Sequence, residues 1–239
     1  MKSLSFRPSI WARLLLSQSW RMSLRASDRH TIQIKDTSEK TVLTRAIRDL
    51  SIQKGIIWSS LAITSNEGSI KLDGLSAEKA QSMLEAIIQH INMWIDSVLE
   101  SSLDQLGVFD STIQALIANQ DQYVAKADVT KAIAEVGGEI SIALAHPFFR
   151  DRMLSDSTRK SLPQSLDFLT NAHRRDEYND AFLSAELVRF KDYFDSALPT
   201  PLTDEQREAC IRLEDSNLLV AAAGSGKTAT MVSKVVYLL

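Results

Sequence analysis

Apolar and polar residues alternate through the first third of the chain, and the spacing then changes to three and four. His30-Thr31-Ile32-Gln33-Ile34-Lys35 has period two, and Thr41 to Thr44 suits a second short strand. Ile56-Ile57-Trp58 extends the apolar run. Leu61 and Ile63 alternate, Ser65-Asn66-Glu67-Gly68 supplies turn chemistry, and Ile70 and Leu72 alternate again. This predicts a hairpin with one buried face, closed by Gly74. Ser76 is a suitable helix N-cap. From Ala80 to Leu106, apolar residues such as Met83, Ile87, Ile91, Trp94, Ile95 and Val98 recur at helical spacing. The pattern predicts one amphipathic helix of about 30 residues, roughly 45 Å long at 1.5 Å per residue.

Gly107 is expected to break that helix. Shorter helices follow at Ile113 to Ile117, Val129 to Val136 and Ile140 to Ala145, with Gly137-Gly138 as an interruption and His146-Pro147 as a stop. A polar stretch leads from Pro147 to Pro163. A last long helix is predicted over about 164–196, with Leu183, Leu187, Phe190 and Phe194 on one face. Residues 77–196 read as a helical hairpin or small bundle, an arm or spacer without repeats. Leu198-Pro199-Thr200-Pro201 is a stiff linker and marks a boundary. Thr203 then opens a helix whose first turn carries Asp204 and Glu205.

The candidate chemistry lies beyond that linker. Leu218-Leu219-Val220 is an apolar strand candidate. It leads into Ala221-Ala222-Ala223-Gly224-Ser225-Gly226-Lys227-Thr228 and then a helix-compatible run to Leu239. Strand, small-residue loop, Gly-Lys-Thr and helix form a phosphate-cradling P-loop, with Ala221 where the strict pattern has glycine. The backbone N–H groups of such a loop point at a triphosphate, and the helix N-terminus faces the same anion. Lys227 would supply charge to the β and γ phosphates, and the Thr228 hydroxyl a ligand for Mg²⁺. The spacing Thr203-x-x-Gln206 is also a capping box, which gives Gln206 a purely structural alternative.

Composition narrows the field. The 239 residues are 44% hydrophobic and 24% charged, with a net charge of −3, so no global basic field points to nucleic acid; any such groove must be local. The single cysteine, Cys210, excludes an intrachain disulfide and fits the reducing cytoplasm. On its predicted helix it reads as a small buried hydrophobe. No apolar run approaches the ~20 residues of a membrane span. The first 27 residues are basic, serine-rich and free of acids, as in an organelle transit peptide; the alternative is a segment packed on the first domain through Ile10, Trp11, Leu14 and Trp20. His30, His90, His146 and His173 lack metal-ligand spacing. Arg174-Arg175, followed by Asp176-Glu177, reads as a solvated helix face. Trp58 and Trp94 read as core or interface aromatics, because base-stacking sites sit among basic residues.

Pro201-Leu202-Thr203-Asp204-Glu205-Gln206-Arg207, followed at the right separation by Ala221 to Thr228, resembles the opening of a superfamily 1 UvrD/Rep-type DNA helicase. Alanine at the first loop position is common there. Ala222 stands where the family often has glycine. Ala229 stands where it often has arginine, so that contact is not carried over. The upstream order of strands, long helix and helical segment is similar to the helicase IV (HelD-type) branch. The resemblance implies an α+β, multi-part fold. A small PH-like β-barrel or sheet capped by a long helix (residues 1–106) would precede a helical arm (107–198). The first β-α unit of an incomplete RecA-like domain would follow (199–239).

By the same resemblance Gln206 recognises adenine, residues 221–226 cradle phosphates, and Lys227 and Thr228 serve ATP and Mg²⁺. The implied protein is a 3′→5′ helicase acting on single-stranded or forked DNA, with no membrane partner and a monomeric state favoured. No apolar strand ending in an acidic pair follows Thr228, so these 239 residues are expected to be the N-terminal piece of a longer enzyme and to hold no catalytic residue. Two alternatives stay open: a non-catalytic interaction or DNA-binding module, and another P-loop ATPase.

Overall fold

The structure, a computed structural model, describes residues 4–15, 17–26, 30–118, 122–196, 198–220, 222 and 224–239. In chain order it begins with β1 (Leu4–Phe6), α1 (Ile10–Leu15), β2 (Arg21–Arg25), β3 (Thr31–Lys35), β4 (Glu39–Leu43), β5 (Ile47–Lys54), β6 (Ser59–Ser65) and β7 (Gly68–Leu75). The helices α2 (Ala77–Ser101), α3 (Leu103–Ile117), α4 (Lys126–Glu135), α5 (Gly138–Leu144) and α6 (Asp156–Ser161) follow. The remainder is α7 (Asp167–Thr170), α8 (Arg174–Arg189), α9 (Lys191–Ser196), α10 (Asp204–Ile211) and α11 (Lys227–Tyr237). Packing divides this α+β chain into two units. One combines the residues up to Leu103 with Gly138–Leu162, and the other combines Asp104–Gly137 with Pro163–Leu239.

In the first unit, β1-β2-β3-β4 form one antiparallel sheet and β5-β6-β7 a second. Period-two alternation decides which face is buried. Met22 pairs with Ile34, Leu24 with Ile32, and Ile32 with Val42, and all five side chains are buried. Leu61, Ile63 and Leu72 do the same on the second sheet. Helix α2 lays its apolar stripe, including Met83, Ile87, Ile91 and Ile95, against this core and touches β5 and β6. Each such buried side chain is worth about 1.5–3 kcal/mol of transfer free energy. Ser76 caps α2 by accepting from Lys79 N at 3.3 Å, as its position predicts. Asn92 ties the segment after α5 to α2: its Nδ2 donates to Phe148 O at 3.0 Å, and Arg150 N donates to its Oδ1 at 2.9 Å.

Three sequence expectations need correction. Ile56-Ile57-Trp58 is a loop between β5 and β6, where Gly55 N donates to Trp58 O at 3.1 Å, and Ile56 and Ile57 are exposed. Three consecutive apolar residues cannot all face one side of a pleated strand. The long helix has 25 residues and stops at Ser102, while Gly107 lies inside α3. Ser97 and Ser101 each turn their hydroxyl back onto a carbonyl three residues earlier, competing with the helical ladder near its end. The predicted helix over 164–196 is three helices, α7, α8 and α9, with an extended Asn171 and a non-helical Phe190 at the breaks.

The second unit is built around Tyr123, Phe182, Leu183, Phe194, Leu202, Cys210 and Ile211. The Phe194 and Tyr237 rings stack at 6.1 Å. Buried Asn179 bonds both backbone groups of Val124. Cys210 is buried, as expected, with its thiol donating to Thr230 O at 3.4 Å. The expected strand at Leu218–Val220 is not formed: these residues lack regular pairing, with Leu218 89% and Val220 82% exposed. A strand needs a neighbour to satisfy its N–H and C=O groups, and none lies beside this stretch among the described residues.

Candidate nucleotide site

Helix α10 positions the first candidate residue. Thr203 is its N-cap, with extended backbone, and its hydroxyl accepts from Gln206 N at 3.4 Å. Gln206 Oε1 accepts from Thr203 N at 2.9 Å, completing the capping box. The other end of the same amide does more: Nε2 donates to Ser225 O at 2.9 Å, nineteen residues on. Gln206 thus holds its own helix start and touches the small-residue loop.

The loop itself has the backbone that its glycines predict. Gly224 (φ 78°) and Gly226 (φ 84°) both sit in the left-handed region. The positive φ disfavours any other residue at Gly226, and a Cβ there would have to displace Gln206 Nε2, 2.7 Å away. Ser225 closes a tight turn onto Ala222 O, by its backbone N–H at 3.3 Å and its hydroxyl at 2.7 Å. Lys227 Nζ donates to the same carbonyl at 3.1 Å. Lys227 and Thr228 are exposed in the first turn of α11, which Gly226 caps. Ala221 and Ala223 lie outside the described residues. Gln206, Ser225, Gly226 and Lys227 are therefore brought together. Uncapped backbone N–H groups and the helix dipole add to the positive end of α11.

The helix behind the loop is anchored from several sides. Tyr193 Oη donates to Ser233 O at 2.8 Å, and Tyr237 Oη donates to Glu186 at 2.6 Å. Burial, reinforced by the Glu186 carboxylate, pushes the Tyr237 hydroxyl well above its usual range. Lys234 Nζ donates to Ala209 O and Arg212 O, filling carbonyls left open at the C-terminus of α10. Burial lowers its pKa.

Sequence reasoning missed Glu214. It accepts from Tyr123 Oη (3.0 Å), Arg175 (2.5 Å) and Lys126 N (3.0 Å), while Asp215 accepts from Ala127 N (3.1 Å). Two carboxylates just before the loop segment therefore cap α4, whose own N-cap residue, Ala125, has no side-chain acceptor. Burial works against the Glu214 charge, but these three donors hold its carboxyl below the usual range. Arg175 is correspondingly half of a partly buried ion pair, a correction to its reading as solvated face; Arg174 pairs with Glu177 at an exposed site. His30 and His90, expected as satisfied or exposed side chains, meet in the first core with their rings 5.3 Å apart, while His146 lies against Trp94 and Phe148. Among the described residues His30 Nδ1, His90 Nε2 and His146 Nε2 are buried without a hydrogen-bond partner.

A capping-box glutamine touches a glycine loop that ends in Lys-Thr at a helix start. The UvrD/REP helicase N-terminal domain model matches residues 202–239, which hold both elements. The chain belongs to the DNA helicase IV / RNA helicase N-terminal family, whose model matches residues 8–182. It is 22% identical to DNA helicase IV of Escherichia coli (strain K12) over 208 residues, covering 85% of this chain and 30% of that protein. The chain thus spans about 30% of the length of this curated relative. No solved structure matches it. No helix among the described residues is long and apolar enough to cross a membrane.

Proposed function

We propose that this chain is the N-terminal part of an ATP-dependent DNA helicase that translocates 3′→5′ on single-stranded DNA. ATP with Mg²⁺ is its cofactor, and a single-stranded or forked DNA its substrate. The observation that supports this reading is the contact of Gln206 Nε2 with Ser225 O: the glutamine proposed to meet adenine lies against the glycine loop that leads into Lys227 and Thr228. In this role Gln206 contacts adenine, residues 221–226 surround the phosphates, Lys227 releases Ala222 O for the β and γ phosphates, and Thr228 binds Mg²⁺. ATP supplies the free energy for movement along the strand, while these residues bind and orient it.

In sequence the proposed modules run 1–106, 107–198 and 199–239, although Gly138–Leu162 of the middle stretch packs with the first unit. The four-plus-three strand arrangement closed by a helix supports a PH-like first module. The family matches, one ending at 182 and the other starting at 202, support a boundary near the proline linker. A second reading, a non-catalytic module, is served by the same first unit. In this reading the 239 residues bind ATP without turning it over, since hydrolysis needs a water-orienting residue and a second acidic strand that are not found beside the loop among the described residues. Titration with a fluorescent ATP analogue tests this. Binding should require Mg²⁺ for full affinity, and Lys227→Ala should weaken it at least tenfold. Equal binding by Lys227→Ala removes the nucleotide-site reading, and Lys227-dependent hydrolysis by the 239-residue chain removes its inactivity.

A further inference from the structure

The first unit carries an open cavity of about 710 Å³, lined by Arg7, Arg13 and Arg21 together with Ile10, Leu14 and Trp20. Residues 7–21 contain these three arginines and no acid. None of the three guanidinium groups forms an ion pair among the described residues, and all three residues are exposed. Ser19, also in the wall, donates to Asp36 at 2.9 Å. Arg25, four residues along β2 from Arg21 and on the same outward face, extends the basic rim.

The helix that forms one wall is apolar where it meets water. Ile10, Trp11, Leu14 and Leu15 on α1 are 68–72% exposed. Ile10, Leu14 and Arg13 face the cavity, while Trp11 stands with Leu14 and Leu15 on the adjoining strip of the helix. This platform is clamped in place. Ala12 is fully buried, Ser9 N donates to Gly74 O at 2.9 Å, and Trp20 Nε1 donates to Asp73 O at 2.9 Å. Gly74 has φ 80°, and a Cβ there would lie 2.6 Å from Ala12 Cβ, so α1 can sit this close to β7 only over a glycine.

We propose that this arginine-walled cavity and the exposed Trp11 beside it form a binding site for single-stranded DNA. Unpaired guanidinium groups in a concave wall hold phosphates, and an exposed indole next to them offers a face on which an unpaired base stacks. Trp11 is 69% exposed on α1, the helix that also carries Arg13, whereas Trp94 is buried in the core. A lipid surface fits less well, because one six-residue helix gives too little amphipathic length to lie in a bilayer interface. The choice of DNA rests on the helicase reading above; the site does not use the nucleotide loop.

Fluorescence anisotropy of labelled oligo(dT) with the 239-residue chain, over a salt series, tests the proposal. Binding should weaken with salt. Replacing Arg7, Arg13 and Arg21 together by alanine should cost at least tenfold at low salt and reduce the salt slope by about 2, at roughly 0.7 per lost phosphate contact. The matching lysine variant should keep the slope. Trp11→Ala should cost about five- to a hundredfold at unchanged slope. Unchanged circular dichroism melting separates these effects from unfolding. Lys227→Ala should bind oligo(dT) as the parent does while losing ATP, so failure of either site is seen apart from the other. No binding, equal binding by the triple alanine variant, or preference for oligo(U) or anionic vesicles over oligo(dT) overturns the proposal.

Discussion

Gly226 is tightly constrained, since its positive φ disfavours any side chain and a Cβ would press on Gln206 Nε2 at 2.7 Å. Gly226→Ala must either push Gln206 off Ser225 O or rotate the loop out of the left-handed region. The strain is of order 1–3 kcal/mol at one exposed turn. ATP-analogue affinity should therefore fall at least tenfold while the melting temperature moves by only a few degrees; parent-like affinity would show that the loop does not carry the nucleotide. A second residue-scale effect belongs to His90, 4% exposed in the first core. Burial and then the nearby His30 hold its pKa down to about 4, against a backbone hydrogen bond at Thr31 that favours the charged form. Burial lowers His30 and His146 as well. Because the folded pKa lies below the unfolded value of 6.5, the unfolded chain binds the extra proton. Stability is then full above pH 6.5 and falls as pH drops toward 4, by up to about 3 kcal/mol from His90 alone. Urea unfolding at pH 7.0, 5.5 and 4.5 should show that decline, and His90→Phe should flatten it.

Helix α4 shows how an element can depend on residues far from it in sequence. Its N-terminal N–H groups at Lys126 and Ala127 are capped by Glu214 and Asp215, each 88 positions away. Glu214→Ala removes a cap and leaves Arg175 and Tyr123 without their partner. The expected cost is about 2 kcal/mol, with faster hydrogen exchange at Lys126 in the first turn of α4; loss of either effect alone would split the capping role from the ion pair. No pattern within residues 122–136 announces this, which is why α4 was legible as a helix and its cap was not. Strands β3, β6 and β7 were legible because one buried face imposes period two on Ile32, Ile34, Leu61, Ile63 and Leu72. The capping box was legible because Thr203 and Gln206 are local to each other. The end of α2 at Ser102 was not, since Gly107 is the weaker helix former on paper while serine back-bonding acts only in context. Gln206 reaching Ser225, nineteen residues on, was not legible from the motif, and the arginine cavity required the fold that carries Arg21 back beside Arg7 and Arg13.

At the scale of the whole molecule, α11 is inside out. It buries Thr230 and Ser233, while Met231, Val232, Val235 and Val236 form an exposed stripe at spacing three and four, with exposed Leu239 just beyond its end. Exposed Leu218 and Val220 precede the loop. Seven apolar side chains left in water amount to roughly 10–20 kcal/mol of burial not realised, at about 1.5–3 kcal/mol each. Tyr193, Tyr237 and Lys234 fasten the other face of this helix, together with Cys210 against Thr230. The proposed helicase reading supplies further strands of an α/β domain to cover that stripe. It predicts an asymmetry. Val232→Gln with Val236→Gln should change the stability of the 239-residue chain by less than about 1 kcal/mol, because both sites are already solvated. The same pair should lower binding of a hydrophobic dye. In a longer protein that completes the domain it should cost several kcal/mol, since two buried side chains become unpartnered amides. Chemical denaturation of both forms checks this, and equal small effects in the two would mean that nothing covers the stripe.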